Sequence, residues 1–300
     1  MNSALLRLYP ARFRRAFGDE IAESYREATE GAGPLARLRE TADVAAHALR
    51  MRLGLGSAYP GGRLFATTAP FALAAAASYA AFNLIGSVGD WYVMRGVGTP
   101  DRVSALFTFM NGCYLLTLIG AVVALAGRYL PGVLCAAAGT AGISASFLYP
   151  VWIVPSDLRW ELVGFLLAPV LIAILPLACP PDLRPARRVR GPAGMLALVV
   201  WALLLVGAVV VIDPLGLGLM IPWRFGVPTV AALALAGRKA FARIRTTVQL
   251  AVAAAPFMVT LYFSGFVQRD ELLTLLGVLA VSAVALRLRR GNDSNTVNPA

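Results

Sequence analysis

Long apolar runs without charge alternate with short arginine-bearing segments from residue 64 to residue 290. The clearest run is 193–212, AGMLALVVWALLLVGAVVVI, which holds neither a charge nor a proline. A helix of that length reaches about 30 Å, the thickness of a bilayer's hydrocarbon core. The same pattern recurs at 64–86, 103–127, 130–154, 162–179, 214–237, 246–267 and 272–286, and 214–237 carries only one charge, Arg224. The pattern predicts an all-α protein, a polytopic transmembrane helix bundle of eight spans over 64–290. Residues 1–63 differ in character, and the polar tail 291–300 is expected to be disordered.

Within 1–63, Pro10 suits the first turn of a helix, where its missing N–H is not needed. Arg12, Arg14 and Arg15 precede Gly18, and Asp19, Glu20 and Glu23 follow it. One continuous helix would place these charges against its dipole, so a break at Gly18 is expected, with helices near 10–17 and 19–30. Gly31-Ala32-Gly33-Pro34 reads as a turn. Leu35, Leu38, Ala42, Ala45 and Leu49 then recur at alternating steps of three and four, which predicts a helix over 34–53 with one apolar stripe. The result is an N-terminal cytosolic helical hairpin, followed by a linker holding Gly54, Gly56, Gly61 and Gly62. Its core is small, so stability calls for a partner surface, a second copy or the membrane.

Composition agrees with the membrane class. The chain of 300 residues is 58% hydrophobic and 14% charged, with a mean hydropathy of +0.70. A soluble domain is nearer half apolar and about a quarter charged. The net charge of +11 would suit a nucleic-acid partner if it were spread evenly. It is not. The first apolar run begins too far along for a cleaved signal peptide, so the N-terminal segment is expected to stay on the cytoplasmic side. With eight spans, every basic residue except Arg95, Arg102, Arg159, Arg224 and Arg269 then falls on that side. Treating 214–237 as a loop would flip the segments after it and erase much of the asymmetry. The outer loops hold Asp90, Asp101, Asp157, Glu161, Asp213, Asp270 and Glu271. The expected setting is a cell membrane, with both termini cytoplasmic and the positive charge beside anionic headgroups; no nucleic acid is expected as a partner.

Catalytic chemistry finds little to work with. The single histidine, His47, lies in the hairpin, no phosphate-binding loop motif occurs, and no carboxylate pair lies inside a span. No enzyme activity, cofactor or metal is expected. Cys113, Cys135 and Cys179 read as small buried hydrophobes. Asp157 and Glu161 share a face at the start of the fourth span and read as a solvated helix end. Asn83, Asn111, Gly112, Gly120, Gly139 and Gly142 read as helix-packing positions. The most irregular stretch is 213–228, DPLGLGLMIPWRFGVP, around Arg224. It reads as an outer loop with Trp223 and Arg224 as interfacial anchors. The alternative is a transporter or permease whose pathway passes this broken segment, with Arg224 binding an anionic ligand.

One stretch resembles a known module. Leu5-Leu6-Arg7-Leu8-Tyr9-Pro10-Ala11-Arg12-Phe13-Arg14-Arg15, then Phe17-Gly18-Asp19-Glu20, resembles the permease prefix domain of bacterial, especially actinobacterial, integral membrane proteins. The resemblance covers about residues 4–53. In one branch of that group the hairpin precedes an export-type ABC permease with a large extracytoplasmic domain, for which the outer loops here are too short. A related module occurs in membrane proteins paired with small transcriptional regulators. The expectation is therefore a regulatory or accessory membrane component. Its hairpin would recruit a cytosolic regulator or an ABC-type subunit through Leu8, Tyr9, Arg12, Phe13 and Phe17.

Overall fold

The computed structural model describes residues 3–57, 59–94, 101–147, 156–184, 220–244 and 246–263, with residues 273, 277, 280, 281 and 284. The run 193–212 and most of 272–286 lie outside the described residues. Every described element is helical. The chain divides into two compact units, one of Met1–Phe65 with Ala178–Leu183, the other of Ala66–Leu177 with Arg184–Ala300.

The first unit holds α1 (Ser3–Leu6), α2 (Ala11–Thr29) and α3 (Pro34–Arg52). The expected break at Gly18 does not occur, because α2 runs through it and buries it. Tyr9, Phe13 and Phe17 form a ladder alongside, with ring centroids 5.6 and 4.9 Å apart. A glycine inside a helix costs about 1 kcal/mol, and an unfavourable dipole about 0.3–1 kcal/mol. Packing of the ladder outweighs both.

α3 starts as its sequence dictates, with Gly33 as N-cap and Pro34 in the first turn. It ends in a Schellman motif. Gly54 takes φ 66°, its N–H donates to the Met51 carbonyl at 3.3 Å, and the Leu55 N–H donates to the Arg50 carbonyl at 2.8 Å. The two long helices meet where the Tyr25 hydroxyl and Thr41 Oγ1 lie 2.8 Å apart. The apolar stripe of α3 does not form this contact. Leu35, Leu38 and Leu49 are exposed, whereas Ala48 is fully buried.

The second unit is organised around α4 (Pro60–Met94), a helix of 35 residues whose first turns belong to the first unit. From Ala66 to Ala80 nearly every side chain is buried, as expected for a helix apolar on all faces. α5 (Asp101–Leu125), α6 (Tyr129–Ser146) and α7 (Ser156–Ile174) follow. Farther along the chain come α8 (Met220–Ala236), α9 (Arg238–Phe241) and α10 (Thr247–Phe263). Phe71 packs with Ala240 and Ala253, Ala72 and Ala75 pack with Ile172, and Tyr79 packs with Cys113, Tyr114 and Ile143. The helices after α4 thus cover it from several sides.

α5 and α6 turn back on each other at Gly127, whose φ of 117° excludes most side chains. Their backbones then touch. A Cβ on Gly132 would come within 2.6 Å of the Gly120 carbonyl oxygen, and one on Gly139 within 2.6 Å of the Cys113 carbonyl oxygen. Gly142 faces the Cys113 sulfur. Gly112 has no such neighbour and is not a packing position of this pair.

What faces outward is as telling. Thr117, Ala121, Ala124, Val133, Ala136 and Thr140 are buried, while Leu115, Leu116, Ile119, Leu130, Leu134 and Leu171 are exposed. Cys135 is exposed too, unlike Cys113 and Cys179, which are buried as expected. Two described helical segments, Pro60–Ser87 and Ser104–Leu125, are long and apolar enough to cross a membrane.

Candidate functional site

The predicted partner-binding residues separate into a support and a surface. Tyr9 is the support. It is 3% exposed, its hydroxyl donates to the Val44 carbonyl at 3.4 Å, and its ring lies 5.8 Å from that of His47. Burial pushes the Tyr9 hydroxyl's pKa above its usual range; Asp43 adds to the rise and Arg50 opposes it. The neutral phenol is therefore the form that fits. Arg52 ties the same region together, donating from Nη2 to the Arg7 carbonyl at 2.6 Å.

Leu8, Arg12 and Phe17 make up the surface, since all three are exposed. Phe13 is half-buried between the Tyr9 and Phe17 rings. The ladder therefore fixes the direction of Phe17 at little entropic cost. An apolar ring with arginines beside it suits a partner surface that is partly apolar and partly acidic.

Arg224 sits in the first turns of α8, and its side chain lies outside the described residues, as do residues 213–219. From Met220 onward the backbone is helical rather than unwound, with Pro228 inside the helix. The side chains of Asp157 and Glu161 are likewise outside the described residues. Asn83 is satisfied within its own helix, donating to the Tyr79 carbonyl at 2.8 Å. Asn111 is half-buried. Among the described residues no group of three His, Cys, Asp or Glu side chains could hold a metal ion.

Sequence reasoning missed a set of polar clasps between helices. Each ends on a backbone carbonyl. Pro70 offers no N–H to the Ala66 carbonyl four residues earlier, and Arg243 Nη1 donates to it at 3.2 Å. The Tyr129 hydroxyl donates to the Pro176 carbonyl at 2.7 Å, in the single-turn 3-10 helix Leu175–Ala178. Ser144 donates to the Leu166 carbonyl at 2.6 Å, in the turn before Pro169. Pro70 was visible as a signal; the partner of the carbonyl it frees was not. The Arg184 guanidinium also stacks 5.5 Å above the Tyr129 ring.

No protein-family model matches the chain, and neither does a curated protein or a solved structure.

Proposed function

We propose that this chain is a multi-pass plasma-membrane protein of eight spans with both termini in the cytoplasm. Its role is regulatory or accessory: the N-terminal helical pair, which resembles a permease prefix domain, recruits a cytosolic regulator or an ABC-type subunit. The observation that supports the membrane setting is the inverted side-chain distribution of α5 and α6. Glycine, alanine and threonine line their closest approach, while Leu115, Leu116, Ile119, Leu130 and Leu134 are exposed. Water would penalise that arrangement, and lipid does not. The Ala66 carbonyl, freed by Pro70 and bonded by Arg243, agrees with it, because hydrocarbon offers no other donor.

Recruitment rests on the exposed Leu8, Arg12 and Phe17, the last at the end of the ring ladder that starts at the buried Tyr9. The alternative, a transporter or permease with its pathway at 213–228, falls largely on residues outside those described.

The test is photo-crosslinking in native membranes, with a benzoylphenylalanine replacing Phe17 in the full chain. The expected result is an adduct with one cytosolic protein, lost on Arg12→Glu. The same probe at Glu27, exposed elsewhere on α2, should not form it. An adduct with lipid alone, or none, overturns recruitment through this edge.

A further inference from the structure

The stripe of α3 remains uncovered. Leu35 is 82% exposed, Leu38 66% and Leu49 57%, and Leu53 just past the helix is exposed as well. At 100° per residue these four fall within about a sixth of the helix circumference. Val44 and Thr41, which meet Tyr9 and Tyr25, and the buried Ala48 lie on a different face. Arg39 and Arg50 border the stripe on one side and Arg52 on the other. Asp43 and Glu40 lie progressively farther round. A leucine ridge with arginine margins is the pattern of a helix lying in an anionic headgroup layer.

Chain continuity places such a layer within reach. Only residues 53–59 separate Arg52 from Pro60, where the long helix α4 begins. Extended, that segment would span at most about 25 Å. It is not extended. A Cβ on Gly61 would meet the Gly54 carbonyl oxygen at 2.8 Å, and one on Gly62 would meet the Leu55 carbonyl oxygen at 2.7 Å. Gly54 and Leu55 thus lie directly against the first turn of α4. The C-terminal end of α3 is held beside the point where α4 begins.

We infer that the Leu35–Leu38–Leu49–Leu53 face of α3 docks on the anionic cytoplasmic leaflet. The leucines enter the acyl boundary, and Arg39 and Arg50 contact lipid phosphates. This rests on the membrane setting proposed above, and it assigns the two faces of the helical pair different tasks. α3 holds the lipid, and the Leu8–Arg12–Phe17 edge is left for the partner. Docking fixes the orientation of that edge relative to the membrane.

The test uses the full chain reconstituted in vesicles of phosphatidylcholine with or without phosphatidylglycerol. A bimane label is placed at Leu38→Cys in a background where the native cysteines are alanine. Quenching is read with a lipid carrying a shallow acyl-chain nitroxide and with aqueous iodide. A second chain labelled at Leu116→Cys reports on α5. The expected result is lipid quenching at position 38 that requires phosphatidylglycerol. Each of Arg39→Gln and Arg50→Gln should lower the docked-to-undocked ratio about five-fold.

Iodide quenching at position 38 with lipid quenching at position 116 overturns the docking and leaves the membrane setting standing. Lipid quenching at neither position removes both. Equal lipid quenching without phosphatidylglycerol overturns the anionic assignment. Protection from both quenchers means a protein surface covers the stripe, which also overturns it.

Discussion

Arg243 donates a hydrogen bond to the carbonyl of Ala66, 3.2 Å away and 177 residues earlier in the chain. The carbonyl is available because the residue four positions on is Pro70, which has no N–H. A helix that would otherwise carry an orphaned acceptor is thereby completed by a cation from the segment between α9 and α10.

This relationship predicts a non-additive pair. Arg243→Ala should lower stability in detergent by about 1 kcal/mol, since the guanidinium is partly solvated. In a Pro70→Ala background the same change should cost less, because an alanine there supplies the N–H that the Ala66 carbonyl lacks. A double-mutant cycle read by chemical denaturation measures the difference. Equal losses in both backgrounds would show that Arg243 does not serve the carbonyl.

The contact between α5 and α6 should be intolerant of a single methyl group. Gly132→Ala pushes a Cβ against the Gly120 carbonyl oxygen, backbone against backbone, where no rotamer change can relieve it. The expected loss is about 1–3 kcal/mol, offset only in part by the helix propensity of alanine. Gly112→Ala meets nothing within 4 Å and should be neutral or mildly stabilising. Thermal unfolding of the two purified variants decides it.

Tyr9 predicts the pH response of the helical pair. Its pKa is raised above the ordinary 10.0, mainly by burial. The folded form therefore holds the phenol proton more tightly than the unfolded form does. The stabilisation is complete below the unfolded value and is lost as pH rises through the folded one. Amide exchange in α3 should accelerate steeply above about pH 10. Tyr9→Phe, which removes the titrating group, should abolish that component at a cost of about 0.5–1 kcal/mol at neutral pH.

The sequence was legible where the cause is local. The limits of α3 follow from Pro34 at its start and Gly54 beyond its end, and the structure gives Pro34–Arg52. Gly18 misled, because the opposing force was the ring ladder of Tyr9, Phe13 and Phe17 rather than anything at the glycine itself. Gly120 and Gly139 were recognisable as packing positions, but Gly112 shares their residue type without their neighbours, and Gly132 was overlooked.

In the candidate site, residue type identified Tyr9, Phe13 and Phe17 but not their separate tasks. Burial divides them: Tyr9 faces the Val44 carbonyl and Phe17 faces solvent. The side-chain partners of the Ala66, Pro176 and Leu166 carbonyls were illegible because they come from other segments of the chain. The stripe of α3 was visible, yet periodicity alone did not reveal that α2 packs against a different face.

The membrane setting carries everything else, and Cys135 tests it most directly. This thiol lies on the exposed side of α6, about 9 Å along the helix from Tyr129, while Cys113 and Cys179 are buried. A nitroxide attached to Cys135 in the reconstituted chain can be probed by collision with dissolved oxygen and with a water-soluble nickel chelate. If α6 faces lipid, oxygen reaches the label far more readily than nickel does. If nickel reaches it as readily as oxygen, the exposed leucines of α5 and α6 face water and the membrane account is wrong.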